Sequence, residues 1–71
     1  MSWSQNVYSE MVQSVGWDDT TEELLVTFKK NGKTAAYKGF DEEFANRLAN
    51  APSVGQMFIQ EVRSNKDFRY I

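Results

Sequence analysis

The sequence predicts a small α+β domain, a three-stranded antiparallel meander followed by two helices packed on one sheet face, and three observations carry that prediction. Leu24–Lys38 holds two apolar-alternating runs on either side of Asn31-Gly32, a pair that suits the tight turn of a hairpin. After Gly39 the apolar spacing lengthens from the strand period to the helix period. Pro52 then stops that helix, and Ser53 is placed to cap a second one. An apolar sheet face and two apolar helix stripes bury one another, which gives two layers.

A chain of 71 residues has room for one domain and one thin core, since at this size only about 60% of the unfolded surface is buried. The 5 Phe, 3 Tyr and 2 Trp residues therefore carry much of that core. With no cysteine there is no disulfide or thiolate metal site, and with no histidine the commonest general base and metal ligand is missing. Small scaffolds without such staples also gain stability by association. The N-terminal MSWSQNVYSE has neither the basic nor the apolar region of a secretory signal, and no apolar run approaches the roughly 18–20 residues that span a bilayer. The chain thus reads as cytoplasmic, without a membrane partner. Its net charge of −2 argues against non-specific attraction to phosphate.

Along the chain, residues 1–10 are polar apart from Trp3 and Tyr8 and show no sustained period; they read as a loosely held arm, leaving 11–71 as the domain. Met11, Val15 and Trp17 alternate, interrupted by Gln13, and predict the first strand; Asp18-Asp19-Thr20-Thr21 supplies its turn. In the next strand Leu24, Val26 and Phe28 share the core face, while Leu25, Thr27 and Lys29 point outward. If Asp19–Glu22 is the first loop, Trp17 opposes Leu24 and Val15 opposes Val26. If Asn31 and Gly32 alone form the second, Phe28 opposes Ala35 and Val26 opposes Tyr37, so that Val15, Val26 and Tyr37 make one row. The acids Asp41-Glu42-Glu43 suit a helix start, and Phe40, Phe44 and Leu48 recur at helical spacing, predicting a helix over about 41–50. Ser53 and Gln56 form a capping box for a second helix over about 54–65, with Val54, Phe58, Ile59 and Val62 on its apolar stripe. Gly55 in its first turn predicts close approach of another backbone. The tail Asp67–Ile71 alternates but reads as irregular.

The charges are dipolar in this arrangement. Asp18, Asp19, Glu22, Glu23, Asp41, Glu42 and Glu43 gather at one end of the sheet, and Lys29, Lys30 and Lys33 at the other, with Lys38 farther along the outward face. Solvated turns and helix starts collect such charges as a matter of course. Asp18–Glu22 lacks the spacing of a calcium loop, so no metal is expected. Ser14 and Ser53 have no histidine to activate them, and the glycines are scattered rather than grouped into a phosphate cradle; no catalytic residue, cofactor or small-molecule substrate is expected. Phe28 and Tyr37 fall on the core face. Leu25 and Ala36, set among Thr27, Lys29, Thr34 and Lys38, leave the outward face partly apolar, as an interface would be.

The order of these features resembles the KTSC domain, named after a C-terminal extension of some lysyl-tRNA synthetases and found also as stand-alone small proteins of bacteria and their phages. The resemblance rests on V-G-W-D, L-x-V-x-F before Asn-Gly, Y-K-G-F, A-P-S-V-G and the final F-R-Y, and it covers about residues 13–71. Its most specific piece is A-x-S-x-G, here Ala51, Ser53 and Gly55. The family's central Y-x-Y is here Ala35-Ala36-Tyr37, so Tyr37 alone carries over, and Trp17 stands where the family usually has a tyrosine. The resemblance implies no established activity; the synthetase association suggests RNA.

Two functions are therefore expected of a non-enzymatic interaction module. The first is binding of a protein partner, such as a host protein or a second copy, through the face bearing Leu25, Thr27 and Ala36. The alternative is RNA binding through Lys29, Lys30, Lys33 and Lys38, with Arg63 and Arg69 as helpers.

Overall fold

The structure, a computed structural model, describes residues 2–71. It contains β1 (Trp3–Asn6), β2 (Val12–Asp18), β3 (Glu23–Phe28), β4 (Thr34–Tyr37), α1 (Glu42–Ala49), α2 (Val54–Glu61) and β5 (Phe68–Tyr70). The class is α+β as the sequence predicts, but the sheet has five antiparallel strands in the order β1-β2-β3-β4-β5, not three. The residues expected to form an arm supply β1, and the expected irregular tail supplies β5. Met1 lies outside the described residues.

The first loop is as expected: Trp17 pairs with Leu24 and Val15 with Val26. The second is not. Val26 pairs with Ala35 and Leu24 with Tyr37, a two-residue displacement from the expected register. Its cause is the turn. The Phe28 amide donates to Lys33 O and the Gly32 amide to Phe28 O, each at 2.9 Å, so the loop runs over residues 29–32. Only Gly32 takes a positive φ there (70°), whereas the two-residue turn needs one at Asn31 as well. Asn31 instead accepts the Lys33 amide on its side-chain oxygen at 3.0 Å. An even displacement keeps every side chain on its face, which is why the apolar pattern is blind to it.

One inner row therefore crosses the whole sheet as Trp3, Trp17, Leu24, Tyr37 and Phe68, and the next as Gln5, Val15, Val26, Ala35 and Tyr70. The register shifts between Val12 and Ser14, a bulge at Gln13. The bulge brings Val12, rather than Met11 or Gln13, into the core beside Val15 and Trp17.

Both helices cover this inner face. Asp41 is the N-cap of α1, accepting the Phe44 amide at 2.8 Å, and Ala45, Leu48 and Ala49 are its buried residues. Ser53 caps α2 as expected, accepting the Gln56 amide at 3.4 Å. α2 is shorter than its apolar spacing predicts, with Val62 as its C-cap. The close neighbour of Gly55 is a side chain, not a backbone: a Cβ there would lie 3.2 Å from Ser9 Oγ. β1 ties α1 down through Trp3 Nε1, which donates to Glu42 Oε2 at 2.9 Å, and Gln5 Nε2, which donates to Ala49 O at 3.3 Å.

Candidate functional site

The expected site residues fall into three places rather than one patch. On the outer face, which no helix covers, Leu25 and Thr27 are half-buried, and Thr27 Oγ1 lies 2.7 Å from Thr34 Oγ1 across the β3–β4 pair. Ala36 is 0% exposed, set between Leu25 and Arg69 in the cross-strand row, and has no surface to offer a partner. Lys38 is exposed at the far end of β4, where its amide donates to Asp67 O and its carbonyl accepts Asn65 Nδ2.

Arg69 is not a free cation. Its Nη2 donates to Glu23 Oε1 at 2.9 Å and its Nε to Glu23 Oε2 at 3.3 Å, so the guanidinium engages both carboxylate oxygens. Glu23, read from sequence as one of the solvated acids, is 1% exposed beneath this lid. Hydrogen bonds from Arg69 and then from Thr21 hold its carboxyl below the usual glutamate range, against an opposing contribution from burial. The pair closes the outer face near Ala36 and engages two of the Arg69 nitrogens, while the Arg69 side chain stays 57% exposed.

The remaining lysines divide around the second hairpin loop. Lys29 borders the β1–β2 loop with Tyr8, Ser9 and Glu10. Lys30 and Lys33 turn to the other side, toward β5. There a cleft of about 290 Å³ is lined by Met11, Phe28, Lys30, Asn31 and Tyr70, and Lys33 Nζ lies 5.6 Å from the centre of the Tyr70 ring. Arg63 is exposed beyond the end of α2.

The cleft lies at the end of a chain of aromatic contacts. Phe58 meets Phe28 edge-on at 5.4 Å and Tyr37 at 6.0 Å; Tyr37 stacks on Phe68 at 4.9 Å; Phe68 meets Tyr70 edge-on at 5.6 Å. Phe58 and Tyr37 are buried, Phe68 is 38% exposed and Tyr70 57%. Burial, with the neighbouring Tyr70 hydroxyl, pushes the Tyr37 phenol above its ordinary value. Rings at the outer end are thus held by rings in the core while keeping a free face. Phe68, Tyr70 and Asn31 were not among the residues expected from sequence. The alternation Phe68-Arg69-Tyr70 was the available signal, since period two is a strand signature even over a short tail.

No group of acidic residues among the described residues is arranged to hold a metal ion. No helix among them is long and apolar enough to cross a membrane. Of the family motif, Ala51 is partly buried against the core, while Ser53 and Gly55 line a groove of about 340 Å³ between α2 and the β1–β2 loop.

The KTSC domain profile matches residues 8–68. The chain belongs to the KTSC domain family. A crystal structure of a KTSC domain protein from Yersinia pestis is similar over 100% of this chain and 96% of that one, at 25% identity and a TM-score of 0.78. No curated protein matches the chain. In this KTSC domain the A-x-S-x-G motif acts locally: Ser53 caps α2, and Gly55 admits the Ser9 hydroxyl where a side chain would crowd it.

Proposed function

We propose that this KTSC domain is a non-enzymatic protein-binding module, and that the working surface is the β5 edge with the adjoining cleft. The observation that carries this reading is the pair Phe68 and Tyr70, exposed at 38% and 57% on a strand at the end of the sheet, with Phe68 stacked on buried Tyr37 and Tyr70 edge-on against Phe68. Large rings that are exposed yet anchored from behind offer a partner apolar area at small entropic cost. The outer face, with Ala36 buried and Arg69 engaged by Glu23, offers less.

RNA binding is the second reading, and one observation favours it: an exposed Tyr70 ring beside Lys33, an arrangement on which a base can stack. Affinity capture from lysate, with and without nuclease treatment, separates the two. Protein binding predicts a partner that survives nuclease and is lost when Phe68 and Tyr70 are both replaced by serine. Recovery that depends on intact nucleic acid, and that falls steeply with salt, overturns it.

A further inference from the structure

Resting on the protein-binding reading, we propose that β5 binds an extended acidic-apolar peptide segment of another protein by strand addition. The backbone directions come first. The Lys38 amide donates to Asp67 O at 3.0 Å and the Ile71 amide to Thr34 O at 2.9 Å. In an antiparallel ladder these groups alternate in direction from residue to residue, so β5 turns its odd-numbered residues toward β4. The amides and carbonyls of Phe68 and Tyr70 therefore point away from the sheet, on a strand with no neighbour beyond it among the described residues. Such an edge is a template for another chain, and main-chain bonding of this kind supplies affinity while side-chain contacts supply selection.

The side chains define what the incoming strand carries. Its residues on the helix side of the sheet meet the Phe68 and Tyr70 rings, which are the end members of the two inner rows, and take apolar groups. At the Tyr70 end stand exposed Lys30 and Lys33, neither with a carboxylate partner among the described residues. An acidic residue of the added strand satisfies both the charge and the position.

The test is selection from a random peptide library displayed on phage against the full chain, followed by titration of synthetic copies of the selected peptides. The expected sequences alternate apolar residues and carry an acid, and they protect the Phe68 and Tyr70 amides from hydrogen exchange. Tyr70→Ala removes the ring; Tyr70→Pro removes the ring and an outward amide that β4 does not use, and is expected to weaken binding about tenfold further. Replacing Lys30 and Lys33 by glutamate is expected to reverse the preference toward basic peptides. Peptides that bind but protect other amides, or that lose equal affinity with alanine and proline, overturn strand addition and leave protein binding standing. Failure to select any peptide overturns it also. If the chain self-associates with protection of the same two amides, the edge is a homotypic contact and the peptide assignment falls.

Discussion

Glu23 and Arg69 form a two-point ion pair between β3 and β5, across intervening β4, with the carboxylate sealed from water and the guanidinium half open to it. Strands at ranks three and five of the sheet are thereby linked without sharing a ladder. The arrangement fixes β5 from the outer side while Tyr37 and Phe68 fix it from the inner side.

Removing one partner of a buried carboxylate leaves an unsatisfied charge, so Arg69→Ala is expected to lower Tm more than the double variant Glu23→Gln with Arg69→Ala. Hydrogen exchange at the Lys38 and Ile71 amides reports whether β5 has left the sheet. If the two variants melt together, the pair is not coupled and the lid over Glu23 has no role in holding β5.

The same pair gives a signed pH dependence. The Glu23 carboxyl is held below its ordinary value in the folded state, so the unfolded chain binds the proton first as pH falls. Its contribution is fully present above the ordinary glutamate value of about 4.3 and is lost as pH drops through the lower folded-state value. Asp18, whose carboxylate accepts the Thr20 and Thr21 amides, shifts in the same direction. Denaturant titrations at a series of acidic pH values are expected to show stability falling in the parent chain and falling less in Glu23→Gln. Equal slopes would remove Glu23 as a source of the acid sensitivity.

The hairpin loops carry a matched pair of left-handed residues, Glu22 at φ 57° and Gly32 at φ 70°. Each is the last residue of its loop, so the two loops pose the same backbone demand and meet it with different residues. A side chain in that region costs roughly 1 kcal/mol, which glycine avoids. Gly32→Ala is therefore expected to lose about 1 kcal/mol, while Glu22→Gly is neutral or gains a few tenths, because the relief of strain is offset by the freer unfolded chain. Urea midpoints for the two variants check this; a stable Gly32→Ala would mean that the loop has moved to another form.

These loops also show where the sequence was readable and where it was not. Leu24, Val26 and Tyr37 lie on the core face as their alternation predicts, and Ser53 caps α2 where the helix-start chemistry places it, whereas Asp41, read as a first-turn acid, is the N-cap of α1. The β3–β4 register was missed because Asn31-Gly32 is compatible with loops of different length, and a displacement of two residues leaves the buried face intact. β1 was missed because an edge strand with a solvated outer side, here Ser4 and Asn6, needs no strong alternation. Short β5 gave three residues of pattern, too few to outweigh a loop. The candidate site was half legible. Lys30 and Lys33 stand at it, but their companions Phe68 and Tyr70 belong to the strand that was not foreseen, and Ala36 was assigned to an outward face without allowance for the Arg69 side chain crossing it.

Phe58 is the ring on which the aromatic chain turns from core to surface, touching both Phe28 and Tyr37 at 3% exposure. Phe58→Ala is expected to cost about 3–5 kcal/mol, a large share of the total stability of a domain this small, and to leave a partly unfolded chain at ambient temperature. Phe58→Leu keeps most of the volume and folds, but loses the edge contacts. Near-ultraviolet circular dichroism of the leucine variant is expected to show altered tyrosine bands, because Tyr37 and through it Phe68 lose their support.

Gly16 tests whether β1 is an integral strand. A Cβ built there lies 2.5 Å from the Trp3 carbonyl oxygen, a backbone atom that cannot rotate away, so Gly16→Ala forces the two strands apart. The expected loss is about 1–3 kcal/mol, and it falls on β1, whose amides lose protection and whose Trp3 indole loses its bond to Glu42. Core overpacking elsewhere would produce a similar loss, so the comparison that decides is a chain lacking residues 2–6. If the clash with β1 is the whole cause, Gly16→Ala costs almost nothing in that shortened chain, and the two changes are strongly non-additive. Additive losses would place the strain within β2 itself and would leave β1 as a strand that the rest of the sheet does not require.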